Sequence, residues 1–124
     1  MKIEKFKQIT STHTYLKENN SQYTENTVIL AEEQTGGIGT KGRSWHTGSN
    51  KNIAMSILYK PQKDVKNLEG LTIKIAEKLK QTIQENYNIK LTIKEPNDLM
   101  LNKKKICGIL TESNTIGNKI NYVI

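Results

Sequence analysis

The sequence predicts an α/β (α+β) fold, a mixed, largely antiparallel sheet with helices on one side. Three observations lead there. Residues 64–86 repeat apolar side chains at three- and four-residue steps, the period of an amphipathic helix. Ile89, Leu91 and Ile93 alternate with a period of two, as a half-buried strand does. Residues 99–101 and 106–111 bracket a polar turn, 102–105, which reads as a hairpin.

The other elements follow in order. Residues 3–9 alternate loosely and predict a first strand. Ser11 or Thr12 suits a helix N-cap, because a hydroxyl there accepts from a free backbone N–H of the first turn. Residues 12–19 then predict a short helix that ends at Asn19-Asn20. The run TVILAE, 27–32, suits a buried strand. Residues 35–51 hold five of the eight glycines and no apolar period, so a loop is expected. A loop of that length inside a compact domain is usually functional or disordered. Residues 52–60 predict a strand stopped by Pro61.

In the long helix, Val65, Leu68, Leu71, Ile75, Leu79 and Ile83 share a face with Thr72 and Ala76. Lys74, Glu77, Lys78 and Lys80 line the other. The apolar stripe is expected to be core packed on a sheet. Pro96-Asn97-Asp98 reads as a turn after the strand over 89–93. Gly117-Asn118 turns the chain again, and 119–124 predict a last strand. That strand runs to Tyr122-Val123-Ile124 with no polar terminator, so a fragment of a longer ladder is expected.

Composition bounds the class. A chain of 124 residues fits one domain. Lys and Arg total 19 and Asp and Glu 12, a formal charge of +7. No apolar run nears the roughly 18 residues of a membrane span. The start, MKIEKFKQIT, has no apolar core of a signal peptide. A lone cysteine, Cys107, excludes an internal disulfide framework and a cysteine-rich zinc site. A cytoplasmic protein is the plain expectation. Positive charge can mean nucleic acid, a membrane surface or an acidic partner. Here the lysines are spread along the chain and aromatics are 6%, so neither nucleic acid nor membrane is expected.

The glycine segment holds two near-misses. Gly37, Gly39 and Gly42 spell GxGxxG, and 37–44 come within a residue of a P-loop, with Arg43 in the lysine's place. Both motifs need a helix straight afterwards. Arg43-Ser44-Trp45-His46-Thr47-Gly48 is poor helix, so both are rejected. What survives is their shared chemistry. A glycine backbone approaches an anion closely and offers N–H donors. Lys41 and Arg43 add charge, and Trp45 adds a flat apolar face.

Taken in order, several segments resemble the biotin protein ligases. The loop is similar to their GRGRxGRxW segment, and Ala31-Glu32-Glu33-Gln34-Thr35 to its lead-in. Asn52 through Ser56 resembles the N-L-x-x-S strand. Lys94-Glu95-Pro96-Asn97-Asp98-Leu99 resembles KWPNDL, and Lys105 through Glu112 resembles K-x-x-GIL-x-E. Ser11-Thr12-His13 resembles the family's D-S-T-N. The ordered set covers nearly the whole chain.

The resemblance implies a core like that of class II aminoacyl-tRNA synthetases and a two-step reaction. Biotin and ATP form biotinyl-5′-AMP and pyrophosphate, and the acyl group passes to a lysine of an acidic apo-biotin carboxyl carrier domain. It assigns Lys105 and Arg43 as catalytic. It assigns biotin to Ser11, Thr12, His13, Gln34, Gly37, Ile38, Gly39, Thr40, Lys105 and Gly108. ATP falls to Arg43, Trp45, His46, Asn97 and Asp98, with Asp98 also an acid for Mg²⁺. Lipoate–protein ligases and octanoyl transferases share the fold and are the nearest alternative, a ligand-binding remnant without catalysis another. A homodimer is left open. Outside the resemblance, Cys107 reads as a small buried strand residue, and Glu112 as a cross-strand partner. His13 and His46 form no ligand pair with Cys107.

Departures from the family pattern carry further expectations. Ile38 and Thr40 stand where arginines are usual, Glu95 for Trp, Thr10 for Asp and His13 for Asn. The family's glycine-containing strand and, usually, an SH3-like domain would follow Ile124, and in repressor-type members a DNA-binding domain would precede Met1. The chain is therefore expected to be an incomplete core that binds ligand weakly by itself. Loss of a loop arginine removes charge from the adenylate phosphate, with Lys41 a partial substitute. Biotinyl-AMP is expected to dissociate faster than from a ligase carrying both arginines. Stopped-flow release rates compare the two, and equal rates refute the expectation.

Overall fold

The computed structural model describes residues 1–124. The strands are β1 (Lys2–Ile9), β2 (Thr27–Gln34), β3 (Gly37–Ile38), β4 (Ser44–Trp45), β5 (Ala54–Leu58), β6 (Thr92–Lys94), β7 (Asp98–Leu101), β8 (Lys104–Gly108), β9 (Ser113–Ile116) and β10 (Lys119–Val123). The helices are α1 (Thr12–Asn19) and α2 (Leu71–Tyr87). They fall into two compact units, Met1–Asp64 with Glu112–Ile124, and Val65–Thr111. The fold class is the expected one, mixed and mostly antiparallel, with the ladders divided among small sheets.

In the first unit, β1 and β2 run parallel, and α1 is the connection between them. β5 pairs antiparallel on the other side of β2. α1 begins where expected. Ser11 is extended, and its hydroxyl accepts from the Thr14 N–H at 3.2 Å, closing off a donor that the helix itself cannot use. The helix buries Leu16 against Ile29 and Leu58, all three without solvent exposure, together with Ile124. Phe6, Tyr15, Tyr23 and Tyr122 close round this cluster. β10 joins the end of β5 through reciprocal bonds of Tyr59 and Val123, each 2.8 Å. β9 is absent from the sequence reading: its residues Ser113–Ile116 are all exposed, so no apolar alternation betrays it.

In the second unit, β6, β7 and β8 form an antiparallel sheet. Ala76, Leu91 and Leu99 form its buried centre, with Leu79, Ile83, Ile93 and Cys107 packed round them. The helix expected over 64–86 starts later. Val65–Leu68 is a 3-10 turn, and Gly70 stands at φ 67, a left-handed conformation open to glycine and costly for most residues. Ile75, expected in the core, is 38% exposed. Ala76 centres the contact instead, and a step of about 100° puts Ile75 on the flank.

The hairpin turn is tighter than the expected 102–105. Asn102 and Lys103 alone turn it, at φ 49 and 65, the left-handed pair whose twist matches the flanking strands. Lys104 and Lys105 therefore belong to β8, which ends at Gly108 and does not reach Thr111. The expected 89–93 strand is confined to Thr92–Lys94, with Leu91 buried just before it.

The segment 35–51 is not wholly a loop. β3 pairs with β4, Gly37 opposite Trp45 and Ile38 opposite Ser44. Between them, Lys41 and Gly42 adopt left-handed φ values of 57 and 70. The glycines thus build a small hairpin that periodicity has no room to announce.

Leu99→Ala opens a cavity in the second unit's fully buried centre. Urea unfolding is expected to show a loss of about 2–5 kcal/mol. A loss below ~1 kcal/mol, within the usual range for exposed sites, refutes this packing.

Candidate functional site

The first helical turn of α1 is buried at its polar end. Ser11, Thr12 and His13 are 2%, 3% and 6% exposed. Buried polar groups need partners, and these find them on distant elements. The Thr12 N–H donates to Gln34 Oε1 at 2.9 Å, and its hydroxyl donates to the same oxygen at 3.1 Å. Thr12 Oγ1 also lies 2.8 Å from Ser56 Oγ on β5. Gln34 Nε2 donates to Thr47 Oγ1 at 3.2 Å.

The β3–β4 hairpin lies directly on this network. A Cβ at Gly37 would stand 2.5 Å from the Trp45 carbonyl oxygen and 2.8 Å from Gln34 Nε2. Any side chain there would displace both, so Gly37 is required by close approach. Gly39 is freer; its N–H donates to the Arg43 carbonyl at 2.7 Å, and Arg43 N–H donates to the Thr40 carbonyl at 3.2 Å. Ile38, Lys41, Arg43 and His46 are exposed, while Trp45 is half-buried. The hairpin thus presents its cations outward and Gly37 inward.

His13 has a partner that spacing could not reveal. Its Nε2 lies 2.8 Å from Glu112 Oε2, and Lys17 Nζ donates to the same oxygen at 3.0 Å. Hydrogen bonds from His13 and Lys17 hold the Glu112 carboxyl below its ordinary range. The same carboxylate raises Lys17. Glu112 therefore serves α1 and not merely a neighbouring strand.

The second unit gathers the remaining assigned residues. Asp98 pairs opposite Gly108 in the β7–β8 ladder. Lys105 Nζ sits 3.3 Å from Asp98 Oδ2, with side-chain exposures of 44% and 15%. Asn97 Nδ2 donates to the Ile109 carbonyl at 3.1 Å, and the Ile109 N–H donates back to the Asn97 carbonyl at 2.8 Å. The Pro96-Asn97 turn thus holds the end of β8, and Asp98 opens β7. Burial raises the Cys107 thiol, with a smaller contribution from Asp98, so it is a weak nucleophile. No group of three or more His, Cys, Asp or Glu side chains forms a cation cage, and Asp98 already faces an ammonium.

Ser11, Thr12, Gln34 and Gly37 thus come together in the first unit, with His13 beside them. Asn97, Asp98, Lys105 and Gly108 come together in the second. Thr47 and Ser56 were not singled out as site residues. Ser56 lay within the strand resemblance, whereas Thr47 had no signal, being one hydroxyl in a polar stretch.

The family model described as the biotin/lipoate A/B protein ligase family matches residues 5–124. The bifunctional ligase/repressor BirA of Bacillus subtilis is 34% identical over 105 residues, covering 85% of this chain and 32% of the relative. The biotin–[acetyl-CoA-carboxylase] ligase of Paracoccus denitrificans is 33% identical over 97 residues, covering 77% of this chain and 40% of the relative. The structure of the Aquifex aeolicus biotin protein ligase in complex with biotin and ATP superposes with a TM-score of 0.75 at 27% identity. That match covers 98% of this chain and 50% of the other. The chain thus spans between a third and a half of these relatives. No helix is long and apolar enough to cross a membrane.

A carboxyl held below its ordinary value of 4.5 stabilises the fold above that pH. The contribution fades as pH falls through the lowered folded value. Glu112→Gln removes it. The melting-temperature gap between the parent and Glu112→Gln is expected to be widest near neutrality and to close below pH 4.5. A gap independent of pH refutes the pairing.

Proposed function

The chain belongs to the biotin/lipoate A/B protein ligase family, and on that premise we propose that it carries catalytic residues for ATP-dependent ligation of biotin to a carrier protein. The observation that bears most weight is the buried Thr12–Gln34–Ser56 network under the glycine hairpin. It is a compact, largely buried polar cluster at a helix start, suited to the neutral bicyclic head group of a small acid. Residues 1–124 are read as part of one catalytic region.

The chemistry has an electrostatic obstacle. A carboxylate oxygen must attack the α-phosphorus of ATP, and the bond to the β-phosphate oxygen breaks to release pyrophosphate. Two anions must therefore approach each other, and fixed cations and N–H donors offset the repulsion. Lys105 takes the biotin carboxylate and the adenylate oxygens. Arg43 takes phosphate. Trp45 and His46 lie along the nucleotide, and Trp45 excludes water from the mixed anhydride. Ser11, Thr12, His13 and Gln34 are assigned to the head group, as are Gly37, Ile38, Gly39, Thr40 and Gly108. In the second step a carrier lysine amine attacks the acyl carbon, loses a proton and releases AMP. Positioning dominates both steps, so no nucleophile–base pair is required.

Asn97 and Asp98 support the ATP side. Mg²⁺ is proposed as the counter-ion that the triphosphate brings with it, with Asp98 as the single chain carboxylate assigned to it. The formal charge of +7 favours an acidic carrier domain as partner, through steering.

Pyrophosphate release with biotin, ATP and an apo-carrier tests this reading. Lys105→Ala is expected to slow it by about 10²–10³-fold, the usual cost of removing a charge-stabilising donor. Lipoate used in preference to biotin would move the chain to the sister activity. Ligand binding without pyrophosphate release from either acid would make it a binding module.

A further inference from the structure

The bonds round Gln34 have a direction that can be read without seeing hydrogens. A backbone N–H only donates, so the Gln34 atom facing the Thr12 N–H at 2.9 Å must be its oxygen. The amino end therefore faces Thr47, whose Oγ1 lies 3.2 Å away. Thr12 has a single hydroxyl proton, and it goes to Gln34 Oε1. Ser56, 2.8 Å from Thr12 Oγ1, is then the donor of that pair. The chain of bonds runs one way, from Ser56 through Thr12 and Gln34 to Thr47.

Burial makes this direction matter. Thr12 and Thr47 are 3% and 8% exposed, so a reversed amide would set its amino group against the buried Thr12 N–H, two donors facing each other. The Gly37 backbone bars the amide on a further side. Thr47 also lies just past β4, so its hydroxyl is carried by the same segment that bears Arg43 and Trp45.

We propose that Thr47 and Ser56 are positioning residues, which lock the Gln34 amide and the Thr12 hydroxyl in one orientation before ligand arrives. Thr47 holds the Gln34 amino group and leaves it one N–H to offer. That donor fits a carbonyl acceptor on the head group, such as a cyclic urea. Because Thr47 closes the hairpin, displacement of the hairpin also releases Gln34. The ligand part of this assignment rests on the functional reading above, whereas the lock itself does not.

The test uses the full chain labelled with ¹⁵N, with the Gln34 side-chain amide assigned by its loss in Gln34→Glu. Thr47→Val keeps the shape and removes the acceptor. Its Gln34 amide protons are expected to shift and to exchange with water about tenfold faster, and Thr47→Ser is expected to restore both. In a biotin titration the dissociation constant is expected to rise about three- to tenfold in Thr47→Val and to recover in Thr47→Ser. Unchanged Gln34 signals in Thr47→Val overturn the lock. Changed signals with an unchanged biotin constant overturn its role in positioning. Changed signals in a chain that ignores biotin uphold the lock and overturn the ligand part of the assignment.

Discussion

Two hydrogen bonds from Thr12 to one oxygen of Gln34 tie the start of α1 to the end of β2. The β3–β4 hairpin and Thr47 are arranged round that junction. A helix start carries free N–H groups, and burying them is costly unless each is matched. Ser11 satisfies Thr14 from within the turn, and Gln34 satisfies Thr12 from another element. The match lets a polar helix end sit buried under the β3–β4 hairpin. It also explains Gly37, since a side chain there would collide with the Gln34 amide and the Trp45 carbonyl.

The second unit solves a different problem, that of fixing a cation beside a strand. The Asn102–Lys103 turn sets the register of β7 and β8. That register brings Lys105 to Asp98 across the ladder. The Lys105 end of the pair is exposed, and such a partly screened pair adds little to stability. Its consequence is geometric, because the carboxylate restricts where the ammonium rests while leaving it accessible to a stronger anion.

One departure from the family pattern has a structural partner of its own. His13, standing for Asn, is buried and joined to Glu112. Glu112 in turn takes Lys17. This links the helix to the segment that begins β9. Neither residue's neighbours in the chain foretell the contact, since the partners are 99 positions apart.

Elements with a strong local cause were legible in the residues alone. The N-cap at Ser11, the strand expected over 27–32 and found over 27–34, and the amphipathic stripe ending at Ile83 follow from spacing and side-chain chemistry. The ordered motifs pointed to the family, and the glycine cluster marked the segment that became the hairpin. Other features needed partners from elsewhere in the chain. The helix start at Leu71 depended on Gly70 turning left-handed, and β9 is exposed on every residue. The role of Thr47 exists only because Gln34 needs an acceptor there. Periodicity records which face of an element is apolar. It carries no record of which distant polar atom will satisfy a buried donor, and only tertiary structure decides that.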